Sequence, residues 1–247
     1  MNHLTLIRDS LSFYFGRADL HMMLEKFKAL LLPFITFFFE TQDRFLYDVN
    51  GVVHVGANVG QERHLYRFHG LDVVWIEPIP SVFDQLKSNI GGIKNQLAIQ
   101  ALVLDEDNKE YEFHIANNIG QSSSILKFKE HKDIWPRIDY VQSIGLESVT
   151  LATLFKTQKL EPTKYQALIL DTQGSELLVL QGSLPLLSHF RYVKIEVADF
   201  EAYQDCCQLS DVSNFMTSQG YQEISRRKFA GRTNVGSYFD IVYKRTY

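Results

Sequence analysis

Cysteine is scarce in this 247-residue chain: there are two, and they are neighbours, Cys206 and Cys207. Adjacent cysteines neither build a disulfide framework nor have metal-site spacing, so disulfide-stapled and zinc-finger classes are excluded and a reducing cytoplasm is the expected compartment. Long apolar runs are missing too. The greasiest stretch, Ala29 to Phe39 (ALLLPFITFFF), covers 11 residues between Lys28 and Glu40. Crossing a bilayer takes roughly 20, so no transmembrane segment is expected. The opening MNHLTLIRDS lacks the basic start, apolar run and small-residue cleavage site of a secretory signal. Basic charge is not in excess: the net charge is −4 with Lys and Arg scattered, which leaves no footprint for nucleic acid. The densest basic run, Arg226-Arg227-Lys228, reads as a solvated strand end.

What remains is ordinary for a globular protein, with 45% apolar and 22% charged residues, which excludes disordered, collagen-like and coiled-coil classes. Leu20, Met23, Leu24, Phe27, Leu30 and Leu31 recur at helical spacing up to Pro33, predicting an amphipathic helix in an N-terminal extension, residues 1–45. Its apolar face is expected to cap the core; a homodimer contact, a lid or a membrane-surface contact are the alternatives. From residue 46 to 247 a single α/β domain is expected. The runs VVHV (52–55), DVVWIE (72–77), QLAIQALV (96–103), ALIL (167–170) and YVKIEV (192–197) are apolar at consecutive positions, the mark of parallel strands covered by helices on both faces. Phe83, Leu86 and Ile90 form one helical stripe, and Leu177, Leu180, Leu184 and Leu187 another; both are read as core. YQEISRRK (221–228) and SYFDIVYKR (237–245) alternate and predict an antiparallel hairpin at the sheet edge.

The first strand runs into VVHVGANVGQE (52–62). In an open α/β sheet ligands bind beyond the carboxyl ends of the strands where strand order reverses, commonly beside this strand. Gly56 and Gly60 let backbone approach a ligand, and Asn58 tolerates a left-handed turn while adding a polar group. The next strand ends in Glu77, 21 residues after Gly56, where an acid can accept from both hydroxyls of an adenosine ribose. NAD and S-adenosylmethionine both answer to this. A dinucleotide turn normally carries Gly-x-Gly-x-x-Gly; here Asn58 stands at the second glycine, which suits a cofactor without phosphate.

A second polar site is expected at LILDTQGSELLVLQG (168–182), where Asp171, Gln173 and Glu176 crowd the ligand edge. Asp171 as a simple helix cap is the alternative. A long loop follows the strand YEFHI (111–115). It holds Ser122, Ser123 and Ser124, which could meet cofactor or acceptor, then KFKEHKD, whose Lys127, Lys129, Lys132 and His131 read as a solvated face or a contact to an anionic substrate. Neither His114 nor His131 is given a catalytic role.

Taken in order, HVGANVGQE, IEPIPSVFDQL (76–86), IGQSSSIL (119–126), VTLATLF (149–155), LDTQGSELLVLQG (170–182) and IEV (195–197) resemble the FkbM-type family of S-adenosylmethionine-dependent methyltransferases, over roughly residues 48–245. The resemblance implies a Rossmann-like, seven-stranded, mostly parallel sheet with a C-terminal antiparallel hairpin. It implies that Gly56, Ala57, Asn58 and Gly60 hold the methionine end of S-adenosyl-L-methionine, that Glu77 holds the ribose, and that Ala101 and Leu102 lie near the adenine. The family more commonly has Asp where this chain has His54, so the usual acidic contact to the cofactor's amino group is missing; His54 reads as a core histidine, with a water-mediated substitute as the alternative. The implied activity is O-methylation of a hydroxyl on a glycan or small-molecule acceptor.

For that chemistry Asp171 is expected to act as base or to orient the acceptor hydroxyl, assisted by Glu196, with Ser123, Gln173 and Glu176 as substrate contacts. An alternative in which Asp171, Glu176 and Glu196 hold Mg²⁺ is less favoured, because the spacing does not demand it and carboxylate clusters are poorly selective. A nicotinamide-dependent oxidoreductase and a catalytically inactive cofactor-binding protein are the remaining readings.

Overall fold

The computed structural model describes residues 42–246. By internal contacts the chain divides into residues 1–44 and 45–247; the expected amphipathic helix and any dimer contact through it lie outside the described residues. Among those residues no helix is long and apolar enough to cross a membrane.

Five short parallel strands form the spine of the larger unit: β1 (Gly51–Val55), β2 (Asp72–Ile76), β3 (Gln96–Ile99), β7 (Ala167–Leu170) and β8 (Tyr192–Ala198). The long hairpin β9 (Tyr221–Arg232) and β10 (Gly236–Arg245) completes a seven-stranded sheet in the order β3-β2-β1-β7-β8-β10-β9, with β10 antiparallel to both neighbours. The sheet is a sandwich filling. Val53 and Val55 of β1 join one apolar cluster with Leu168, Leu170, Val193 and Ile195, while Val52 joins another on the opposite face with Val73, Trp75 and Ile169. With both faces covered, every residue of β1 and β7 is buried, which is why these strands read as unbroken apolar runs. Each buried Val or Leu contributes about 1.5–3 kcal/mol.

The helices are α1 (Arg63–Phe68), α2 (Pro80–Ile90), α3 (His131–Ile134), α4 (Leu151–Thr157), α5 (Glu176–Gly182), α6 (Leu184–Leu187) and α7 (Leu209–Ser218). Pro80 starts α2, and Thr150 caps α4 by accepting the Thr153 N–H (3.1 Å). The expected leucine stripe of residues 177–187 holds only in part. Val179, Leu180 and Leu187 are in the core, but Leu184 is 45% exposed. The helix breaks at Gly182, where a Cβ would sit 2.0 Å from the Leu104 carbonyl oxygen.

QLAIQALV departs further from expectation. It is two strands, not one: after Ile99 the chain leaves the large sheet, and β4 (Leu102–Val103) pairs instead with β6 (Tyr140–Val149) in a three-stranded sheet, β4-β6-β5, whose third member is β5 (Glu110–Ala116). That small sheet packs Leu102, Leu104 and Phe113 on Ile79 and Val82 at the start of α2. An apolar run continues through the break, so only pairing distinguishes the two strands.

Candidate active site

Strand order reverses between β1 and β7, since the chain moves outward from β1 to β3 and then returns on the other side. Beyond the carboxyl ends of these two strands lies a cavity of about 480 Å³, in the range that holds small ligands and cofactors. The local sequence explains the opening. Gly56 has φ +80°, and a Cβ there would sit 1.9 Å from the Asp171 carbonyl oxygen, so only glycine lets β1 and β7 turn away side by side. The Gly56 and Ala57 N–H groups both donate to the Ile76 carbonyl at 3.0 Å, fixing the turn against β2. Gly60 serves packing: a Cβ there would meet Leu86 at 2.8 Å, and Gly60 is not in the cavity wall.

At one end of the cavity Glu77 is buried, and its carboxylate accepts the Asn58 N–H on Oε2 and the Ile79 N–H on Oε1, each at 2.9 Å. Burial pushes its pKa up to about 7 despite these two donors. Each oxygen keeps acceptor capacity in a cavity wall also formed by Ala57, Ala101 and Leu102, which fits a ribose beside a flat apolar slot. Asn58 (φ +44°) spends its side chain on scaffolding, donating through Nδ2 to the Ile119 carbonyl (2.9 Å) and accepting from Gln61 (3.2 Å). His54 is a satisfied core histidine at the cavity edge: it is stacked on Trp75, bonded to the Tyr66 hydroxyl (3.1 Å), and lowered in pKa by burial.

The other end is acidic. Asp171 follows β7 and Glu196 lies in β8; Gln173 joins them, its Nε2 donating to Asp171 Oδ1 (2.6 Å) and Glu196 Oε1 (3.3 Å) while its Oε1 accepts from the Tyr203 hydroxyl (2.5 Å). Burial first, then mutual repulsion among the carboxylates, raises Asp171 to about 7 and Glu196 well above the ordinary carboxylate range. Among the described residues no lysine or arginine lines the cavity, so a proton, not an ion pair, is the means of neutralising this pair. Gln173 adopts φ +53° and is held there by Ser124 Oγ, which donates to its carbonyl (2.8 Å).

Two expectations need correction. Glu176 turns away from the cavity. Its Oε1 accepts the Thr172 N–H (2.9 Å) and the Gly174 N–H (3.1 Å), and Cys207 Sγ donates to Oε2 (3.4 Å). It is the brace of the 171–175 loop rather than a substrate contact, and the Asp171–Glu176–Glu196 metal arrangement loses a member. Among the described residues no three His, Cys, Asp or Glu side chains group to hold a metal. His131 is not on a solvated face: it is buried in the cavity wall, while Lys129 and Lys132 pair with Glu201 and Asp139 at the surface. Ser123 does reach the wall, where its hydroxyl accepts the Ala116 N–H (3.0 Å). Sequence reasoning missed the wall beyond the carboxylates, made of Trp135, Ile138, Phe229 and Tyr238. The only local hint was an aromatic before a proline at Trp135.

A family model described as the methyltransferase FkbM domain matches residues 54–223. The chain belongs to the FkbM methyltransferase family. It is an S-adenosylmethionine-dependent methyltransferase, and the nicotinamide alternative falls away. Solved structures similar to this methyltransferase include three with low identity. Magnesium protoporphyrin IX methyltransferase of Synechocystis PCC 6803 has 11% identity and TM-score 0.44, covering 79% of this chain and 69% of that one. The 1,6-didemethyltoxoflavin-N1-methyltransferase of Burkholderia thailandensis has 9% identity and TM-score 0.46, covering 83% and 75%. TYW2 of M. jannaschii has 14% identity and TM-score 0.43, covering 84% and 76%. No curated protein matches the FkbM chain.

The wall fits this cofactor. The two oxygens of the single Glu77 carboxylate suit the two ribose hydroxyls, and the Gly56–Ala57–Asn58 turn offers a close backbone approach for the methionine end.

Proposed function

We propose that this methyltransferase acts on a hydroxyl of a small-molecule or glycan acceptor, with the Asp171–Glu196 pair receiving the hydroxyl proton. S-adenosylmethionine supplies a methyl already activated on a sulfonium, so the chain's own work is to orient the acceptor, exclude water and take the proton. A hydroxyl is a poor nucleophile until its proton is taken in the transition state, and a positioned base contributes about 10²- to 10⁴-fold.

The observation that carries this reading is the state of Asp171. Its carboxyl is half-buried in the cavity wall, where no lysine or arginine stands among the described residues, and it makes its one side-chain hydrogen bond among them through Oδ1, to Gln173; desolvation there raises its pKa to about 7. Oδ2 is left for an acceptor. A base near neutrality loses little to protonation and still pulls on a hydroxyl proton. Gln173 is a positioning residue. Because Tyr203 fixes its oxygen, its nitrogen must face the carboxylates, which presents both in one geometry.

Replacing Asp171 with Asn tests the proposal. With fold and S-adenosylhomocysteine affinity retained, release of S-adenosylhomocysteine across a panel of hydroxylated acceptors should fall about 10²- to 10⁴-fold. Turnover equal to that of the wild type removes Asp171 from the mechanism.

A further inference from the structure

Beyond the two carboxylates the cavity continues into a region that the cofactor contacts leave unassigned. β8 and β10 pair with Glu196 opposite Asp240 and Ala198 opposite Tyr238. Cross-strand partners share a face and residues two apart keep to it, so Tyr238 stands on the same side as Glu196, one step along. The Tyr238 hydroxyl shares a 2.6 Å hydrogen bond with Nδ1 of His131. The imidazole is clamped between rings, stacked on Phe128 (4.9 Å between centroids, 11°) and tilted against Tyr203 (5.1 Å). Its other nitrogen, Nε2, is buried without a hydrogen-bond partner, although His131 lines the cavity. An unpaired buried nitrogen is costly, and native proteins keep few of them without a use.

Resting on the proposed acceptor reading, we infer that His131, Trp135, Phe229 and Tyr238 form the acceptor subsite, and that it takes a neutral hydroxylated ring with Nε2 of His131 as polar anchor. The ligand class follows from the charge and hydrogen-bonding capacity of this wall. Burial lowers the His131 pKa to about 4, so near neutral pH the ring carries no charge. Nε2 is a donor in one tautomer and an acceptor in the other, and a hydroxyl pairs with either, whereas a carboxylate or phosphate pairs only with the donor. Among the described residues no lysine or arginine lines the wall, so an anionic acceptor would find no side-chain cation to compensate its charge. Trp135 and Phe229, 43% and 42% exposed, bring aromatic surface to the same wall for the apolar face of such a ring.

The test uses the full chain saturated with S-adenosylhomocysteine and ligand-observed NMR. The probes are neutral methyl glycosides, cyclitols and phenols, with the carboxylated or phosphorylated counterpart of each. Neutral probes should bind and their counterparts should not. His131→Leu should weaken the hits at least tenfold without changing S-adenosylhomocysteine affinity, and His131→Gln should recover part of the loss. The imidazole ¹⁵Nε2 resonance should move when a hit is added. Unchanged affinity in His131→Leu, equal binding of the anionic counterparts, or no neutral probe binding the loaded protein overturns the inference. Should His131→Leu fail to fold, Trp135→Ala, at a partly exposed position, decides: unchanged affinity for the hits overturns the subsite. Failure of the wild-type chain to bind S-adenosylhomocysteine is a different result, which removes the methyltransferase reading and the subsite together.

Discussion

Gly56→Ala is the most direct probe of how the site is built. Two costs add. A Cβ at φ +80° costs about 1–2 kcal/mol in the left-handed region. That Cβ would also sit 1.9 Å from the Asp171 carbonyl oxygen, well inside contact distance, so the end of β7 must shift, and overpacking of this kind costs about 1–3 kcal/mol. The sum is about 3 kcal/mol, which for a chain of this size lowers Tm by about 6–12 °C. Gly92→Ala is the control. Gly92 has φ +83°, but a Cβ there would have no neighbouring atom within 4 Å, so it carries the conformational cost without the collision. Melting curves and calorimetric titration with S-adenosylhomocysteine separate the two. Gly56→Ala should lose more stability than Gly92→Ala and at least tenfold in affinity, because displacing Asp171 deforms the cavity; Gly92→Ala should bind as the wild type does. Equal behaviour of the two variants refutes the claim that close approach of β1 and β7 shapes the site.

Stability without cofactor should fall as pH rises from about 5 to 8. Glu77 moves from 4.5 to about 7 and Asp171 from 3.8 to about 7 on folding; an acid whose folded pKa is raised stabilises fully below its unfolded pKa, and that stability is lost as pH rises through the folded value. For Glu77 this amounts to about 3 kcal/mol. Glu77→Gln should flatten the slope and weaken S-adenosylhomocysteine binding, since its amide would face a backbone N–H; a Tm that is constant or rising over that window contradicts the assignment. Gln173→Leu should lower turnover more than tenfold while S-adenosylhomocysteine affinity stays within about threefold, because it removes the donor between Asp171 and Glu196 together with the acceptor of the Tyr203 hydroxyl, at the end of the cavity away from Glu77; activity near wild type would show that Gln173 does not position the pair.

Local chemistry in the sequence determined the parallel half of the sheet and the turn that opens the cavity. A parallel strand covered on both faces must be apolar throughout, so β1, β2, β7 and β8 were visible as runs. The turn after β1 needs glycine at Gly56, and the acid closing β2 marks Glu77; both signals are contained within one βαβ unit and need no knowledge of distant contacts. Asp171, just after β7, and Glu196, near the end of β8, were legible as polar residues of the cavity edge because each interrupts an apolar strand run. What only the tertiary structure decided depends on pairing across the chain. The direction of the Glu176 side chain follows from two backbone N–H groups competing for it, which composition does not reveal. The split of QLAIQALV follows from the choice of partner strand, invisible in an uninterrupted apolar run. His131 sits in a lysine-rich stretch that reads as solvated, and it is buried because Tyr238, 107 residues away, supplies the partner for Nδ1. The far wall of the cavity is assembled from α3, the segment after it and the C-terminal hairpin, and no periodicity within any one of them encodes the others.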